Sequence, residues 1–138
     1  MTKARILIIN PNSDVSMTNA ITCTARQFAG ERFEVAAERV PDAPAFIETY
    51  EDQVRCAPGM VDLVRQYEEA YDAFIVACHC DPNLDLLKEV TTKPVIGIGE
   101  ASMKLASMLG HSFSVISTDR HSIPNKIALV RKYGLESS

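Results

Sequence analysis

At 138 residues the chain has room for one domain of ordinary size, and its 46% hydrophobic and 23% charged content is that of a folded protein rather than a disordered one. A net charge of −4 gives no reason to expect nucleic acid or an anionic membrane as partner, and no apolar run reaches the ~20 residues of a membrane span. The N-terminus is too short for a signal h-region. Four cysteines without an export signal are then expected to be reduced thiols in the cytoplasm.

Arg5 to Ile9 is a continuous apolar run stopped by Asn10-Pro11-Asn12, the pattern of a strand buried on both faces. Ser13 to Ser16 offers N-caps for a helix over Met17 to Phe28. Phe33 to Ala37 reads as a second strand and Val40 to Ala45 as a loop. Phe46 to Ala57 is a weaker helix ended by Pro58, and Met60 to Ala70 carries Met60, Leu63, Val64 and Tyr67 on one helical face. Asp72 to Ala77 is the third strand. Asp81 and Pro82 are placed to cap and open a helix running to Val90. Pro94 to Ile98 is the fourth strand, Glu100 to Leu109 a helix, Ser112 to Ser117 a fifth strand and Ile123 to Tyr133 the last helix. Such alternation predicts an α/β fold, a parallel sheet with helices on both faces. Ligands of such sheets bind outside the carboxyl ends of the strands. This directs attention to Asn10–Asn12, Cys78–Pro82, Gly99–Ser102 and Ser117–Arg120.

Cys78-His79-Cys80 is the densest chemistry in the chain. Three tetrahedral ligands do not come easily from three neighbouring residues, and His111 and His121 each stand alone, so a metal centre is not expected. A redox pair would more usually be spaced CxxC. A helix N-terminus following Cys78 would favour a thiolate, which makes it a candidate nucleophile or acid/base. Free cysteines are also commonly small buried hydrophobes, and spacing alone weighs the two readings equally. Cys23 and Cys56 read as structural. Gly97-Ile98-Gly99-Glu100-Ala101-Ser102 lacks the third glycine of a dinucleotide fingerprint and sets Glu100 where a pyrophosphate would lie, so it reads as a tight turn. The amides of Asn10 to Asn12 are suited to a small polar ligand or to turn chemistry. Ser117 and Thr118 are suited to a carboxylate or ring carbonyl, or to capping the last helix.

Taken together, Ile6–Thr18 (ILIINPNSDVSMT), Pro44–Met60, Asp72–Val90 (DAFIVACHCDPNLDLLKEV), Pro94–Ser102 (PVIGIGEAS) and Leu109–Thr118 resemble the hydantoin and allantoin racemase group of the Asp/Glu/hydantoin racemase superfamily. The resemblance covers nearly the whole chain. It implies a pseudo-symmetric pair of α/β domains with the active site between them: residues 1–98 as the first domain and 99–138 as the beginning of an incomplete second. It also implies two cysteines on opposite sides of a substrate carbon, one thiolate removing a proton and the other thiol returning one, with no metal, PLP or nucleotide cofactor. Cys78 matches the first catalytic cysteine. Asn10, Ser117 and Thr118 match ligand-holding turns, and His79 and Cys80, standing where family members often have Phe-Gly, would shape the substrate pocket. No residue here matches the second cysteine, because family chains continue well past this point. The expected function is a cofactor-independent racemase, or its remnant, acting on a hydantoin, allantoin or related small amide or acid. A non-catalytic binding domain and a one-base decarboxylase or isomerase are the alternatives. An unpaired sheet edge makes a homo-oligomer the expected assembly.

Overall fold

The computed structural model describes residues 2–137. Four parallel strands, β1 (Ala4–Asn10), β2 (Phe33–Arg39), β3 (Ala73–Val76) and β4 (Val95–Gly97), form one sheet in the order β2-β1-β3-β4. Five helices accompany them: α1 (Val15–Ala29), α2 (Tyr50–Tyr67), α3 (Leu84–Val90), α4 (Ile98–Leu109) and α5 (Ile123–Lys132). The chain steps one way from β1 to β2 and the other way from β2 to β3. Right-handed crossovers therefore put α1 and α2 on opposite faces. The switch in direction opens a crevice between the carboxyl ends of β1 and β3, where Asn10 and Ala77 lie.

Period-two alternation divides the sheet. Leu7 and Ile9 pair with Phe74 and Val76, and these four, with Val95, meet Cys56, Met60 and Val64 of α2 and Leu84 and Leu87 of α3 in the main core. Ile6, Ile8, Ile75 and Ile96 point to the other face, which α1 covers only in part. Ile8 is buried there, Ile75 half-buried and Ile96 48% exposed.

Three sequence expectations are corrected. Pro58 does not end a helix: α2 is one element of 18 residues with Pro58 inside it. Pro58 lies on the exposed side of the helix, as does Val54, the residue whose carbonyl it leaves without an intrahelical donor. Burial of Cys56, Met60 and Val64 across the break outweighs the lost bond. The true start is a Thr49–Asp52 capping box, so Phe46 to Glu48 lie outside the helix.

Asp81 and Pro82 do not open α3, which begins at Leu84. Asp81 and Asn83 adopt left-handed conformations (φ 47° and 57°), which Asp and Asn tolerate better than most residues. The Asn83 side chain donates to Gln53 O at 2.6 Å and ties the turn to α2.

Ser112 to Ser117 forms no strand. Among the described residues it is an unpaired extended segment, with Phe113, Val115 and Ser117 half-buried and Ile116 95% exposed. An apolar alternating run becomes a strand only where a neighbouring strand takes its N–H and C=O groups.

Candidate active site

β3 ends at Val76, and Ala77 N donates to Ile9 O before the chain turns. A bond from Asp81 N to Cys78 O (2.9 Å) closes Cys78-His79-Cys80-Asp81 into a tight turn. This brings the two thiols together, with Cys78 Sγ and Cys80 Sγ 3.3 Å apart. Cys78 is half-buried, whereas Cys80 is buried behind it. The hydrogen bond from the Cys80 thiol is the largest influence on Cys78. Together with the Cys80 backbone N–H and the Lys126 ammonium it outweighs burial and the Asp81 carboxylate, lowering the Cys78 pKa from 9.0 to about 7. The same contact, together with burial, pushes the Cys80 thiol upward. A Cys78 pKa of about 7 leaves about half of that group ionised at neutral pH, beside a Cys80 thiol that keeps its proton. The seven-residue α3 begins six positions beyond Cys78, so the expected stabilisation by a helix N-terminus is replaced by a thiol donor and a cation.

The Asp81 carboxylate accepts from Gly99 N (2.9 Å) and Glu100 N (2.6 Å), the second and third residues of α4, and from the Tyr133 hydroxyl (2.5 Å). It caps a helix remote in sequence. The glycines of the Gly97-Ile98-Gly99 stretch follow from this approach. A Cβ on Gly97 would lie 2.2 Å from Asp81 Oδ1, and one on Gly99 would lie 2.6 Å from His79 O. Neither glycine has a positive φ, so close approach explains them and a tight turn does not. Glu100 is held by Lys88 and Lys104, which keep its carboxyl below the usual range.

His79 sits between two helices. Lys126 Nζ of α5 donates to its Nδ1 at 3.0 Å, and Ser102 Oγ of α4 lies 3.2 Å from its Nε2. Ser102 also donates to Gly99 O (3.1 Å), so the proton of a neutral His79 belongs on Nε2, facing Ser102. Burial and the Lys126 charge push the His79 pKa down and keep the ring neutral.

A cavity of about 240 Å³ opens over this cluster, and Cys78, His79, Cys80, Ser117, Thr118, Asn125 and Lys126 are among its walls. Five of the six residues singled out from the sequence therefore share one cavity. Asn10 is not among its walls: its side-chain nitrogen donates to Asn12 Oδ1 (2.7 Å) and Thr18 Oγ1 (3.0 Å), and it is fully buried. Ser117 Oγ is hydrogen-bonded to Ser122 Oγ and donates to Asp119 O. Cys23 is exposed on α1. Cys56 is buried in the core, and desolvation raises its thiol pKa to about 11. Among the described residues no cluster of three or more His, Cys, Asp or Glu side chains is placed to hold a metal ion, and no helix is long and apolar enough to cross a membrane.

Lys126 and Asn125 were not singled out from the sequence. Asn125 is 9% exposed, and its Oδ1 has no hydrogen-bond partner. The one available signal was a polar residue, Asn125, one turn before Leu129, the two sharing the buried face of α5.

Residues 6–138 match the family model described as Asp/Glu/Hydantoin racemase. The chain belongs to that family. It is 38% identical to a hydantoin racemase of Pseudomonas sp. over 96% of its own length and 53% of the relative's, and 39% identical to one of Rhizobium meliloti over 95% and 55%. An allantoin racemase from Klebsiella pneumoniae superposes with a TM-score of 0.92 at 32% identity, covering 96% of this chain and 55% of that one. The allantoin racemase of Pseudomonas fluorescens gives 0.89 at 29% identity. The chain spans about half the length of these family members.

Proposed function

We propose that this chain carries one acid/base half of a cofactor-independent racemase site, with Cys78 as the group that takes a proton from an activated carbon of a hydantoin, allantoin or related small amide or acid. The observation that carries the reading is the pair of cysteine sulfurs 3.3 Å apart at the carboxyl end of β3, on the wall of the cavity. A carbon-bound proton flanked by a ring carbonyl and a nitrogen is acidic enough for a positioned thiolate, and a base with a pKa of about 7 is matched to neutral pH. The negative charge then moves from sulfur to the substrate's carbonyl oxygen. Lys126 and the Thr118 hydroxyl supply cationic and donor groups on the same cavity wall, suited to that oxygen, whereas the Ser117 hydroxyl proton is taken by Asp119 O. The carboxamide of Asn125 complements a ligand bearing an amide or ureide. The chemistry needs a reduced thiol, which agrees with a cytoplasmic setting.

Both thiols of the site sit on one loop. This favours a second reading in which the chain by itself exchanges a proton on one face of the substrate carbon without inverting it. The test is to incubate a single enantiomer of a 5-substituted hydantoin with the protein in D2O. Loss of optical rotation together with deuterium at the acidic carbon supports the racemase. Deuterium uptake with rotation retained supports one-face exchange. Neither signal above the buffer rate, with ligand binding unchanged in Cys78→Ala, refutes both and leaves a binding module.

A further inference from the structure

We propose that Cys78 and Cys80 are a redox modification site, at which a hydroperoxide oxidises Cys78 and Cys80 closes an intrachain disulfide at the base of the cavity. The geometry carries this inference, which does not depend on the racemase reading. The two Sγ atoms are 3.3 Å apart in a turn closed by the Asp81 N to Cys78 O bond. Closing to the ~2.05 Å of a disulfide needs a movement of only about 1.3 Å. Both cysteines line the cavity, and Cys78 is the less buried residue of the two, which suits it to meet the peroxide first and Cys80 to resolve it. Lys126 supplies the nearby cation that favours the attacking anion. The other two cysteines lack this arrangement. Cys56 is buried and held as a thiol, and Cys23 stands on α1, away from this cavity.

The chemistry closes in two steps. The Cys78 thiolate attacks one peroxide oxygen and the O–O bond breaks. The departing oxygen takes a proton and leaves as water (from hydrogen peroxide) or alcohol (from an alkyl hydroperoxide), and Cys78 becomes a sulfenic acid. The Cys80 sulfur then displaces the hydroxyl from Cys78. The S–S bond forms, the S–O bond breaks, and the Cys80 proton leaves with the hydroxyl as water. Two thiols are oxidised by two electrons and one peroxide is reduced. The product has no thiolate facing the cavity until a dithiol reductant restores it.

The experiment treats the full chain with hydrogen peroxide and follows intact mass, free thiols and disulfide-linked peptides. The expected product is about 2 Da lighter, has lost two of its four thiols, links Cys78 to Cys80, and returns to the starting mass with dithiothreitol. Its formation rate should rise about tenfold between pH 6 and pH 8 and then flatten, as the ionisation of a group with a pKa of about 7 requires. An ordinary thiol would rise roughly 75-fold over that interval and keep climbing. In Cys80→Ser, Cys78 should be trapped by dimedone as the sulfenic acid and then proceed to a sulfinic acid that dithiothreitol does not reverse. Wild-type Cys78 passing to sulfinic acid without the lighter species, or oxidation confined to Cys23, would overturn the proposal. The wild-type peptide map decides this even if Cys80→Ser does not fold.

Discussion

Gly99→Ala isolates the contact on which the site's architecture rests. Gly99 is the second residue of α4 and has no positive φ, so backbone preference alone favours the substitution by up to about 1 kcal/mol. Packing opposes it. The new Cβ would lie 2.6 Å from His79 O and 2.7 Å from Asp81 Oδ2. The first is backbone of the reactive turn and cannot rotate aside. Overpacking of this kind costs about 1–3 kcal/mol. Moving the Asp81 carboxylate off Gly99 N and Glu100 N removes the cap of α4, worth about 1 kcal/mol more. The net expectation is a loss of roughly 1–3 kcal/mol, read as a lower urea midpoint at unchanged slope. Because His79 O belongs to the turn that aligns the thiols, Cys78 should also lose its enhanced alkylation by iodoacetamide at pH 7. A Gly99→Ala protein as stable as wild type, with alkylation unchanged, would refute the claim that close approach dictates this glycine.

Lys126→Met removes a cation that favours the Cys78 thiolate, so the midpoint of the pH–alkylation curve should move upward from about 7 by roughly 0.5–1 unit. The thiolate fraction at pH 7 then falls and recovers at higher pH; an unmoved midpoint contradicts the electrostatic role. Asn125→Leu removes a buried carbonyl oxygen, Oδ1, that has no hydrogen-bond partner, so thermal stability should rise, by up to about 3 kcal/mol, while affinity for a hydantoin measured by calorimetry drops. A variant that is less stable and binds equally well would remove Asn125 from the binding wall. The sheet face bearing Ile75 and Ile96 is incompletely covered, and we propose that two copies associate through it. Sedimentation at micromolar concentration should give about twice the chain mass, and a concentration-independent monomer would exclude this assembly.

What sequence order alone determined was the alternation of apolar runs and helical faces, and with it a parallel α/β sheet whose candidate site lies at the strand carboxyl ends. Those signals are local: a run such as Ile6 to Ile9, the Asp81-Pro82-Asn83 break, the two glycines around Ile98. Cys78, His79 and Cys80 were legible for the same reason, being adjacent in the chain. What the glycines are for was not legible, because the Asp81 carboxylate that requires them lies 16 residues before the first. Pro58 misled because its cost is local, whereas the burial of Cys56, Met60 and Val64 that overrides it is tertiary. Ser112 to Ser117 misled in the opposite sense. Its alternation is that of a strand, but a strand needs a partner for its backbone groups, and among the described residues it has none. On α5, Ile123 and Ile127 are about half exposed while Asn125 is turned inward, against the usual order of apolar and polar residues. Only the packing of α5 against α4 and the Cys78 turn brings Lys126 to His79, 47 residues away in sequence. Chain order specified which reactive groups exist. Their protonation states are set partly within the turn, where Cys80 acts on Cys78, and partly by burial and Lys126, which only the folded chain supplies because charge and desolvation act through space.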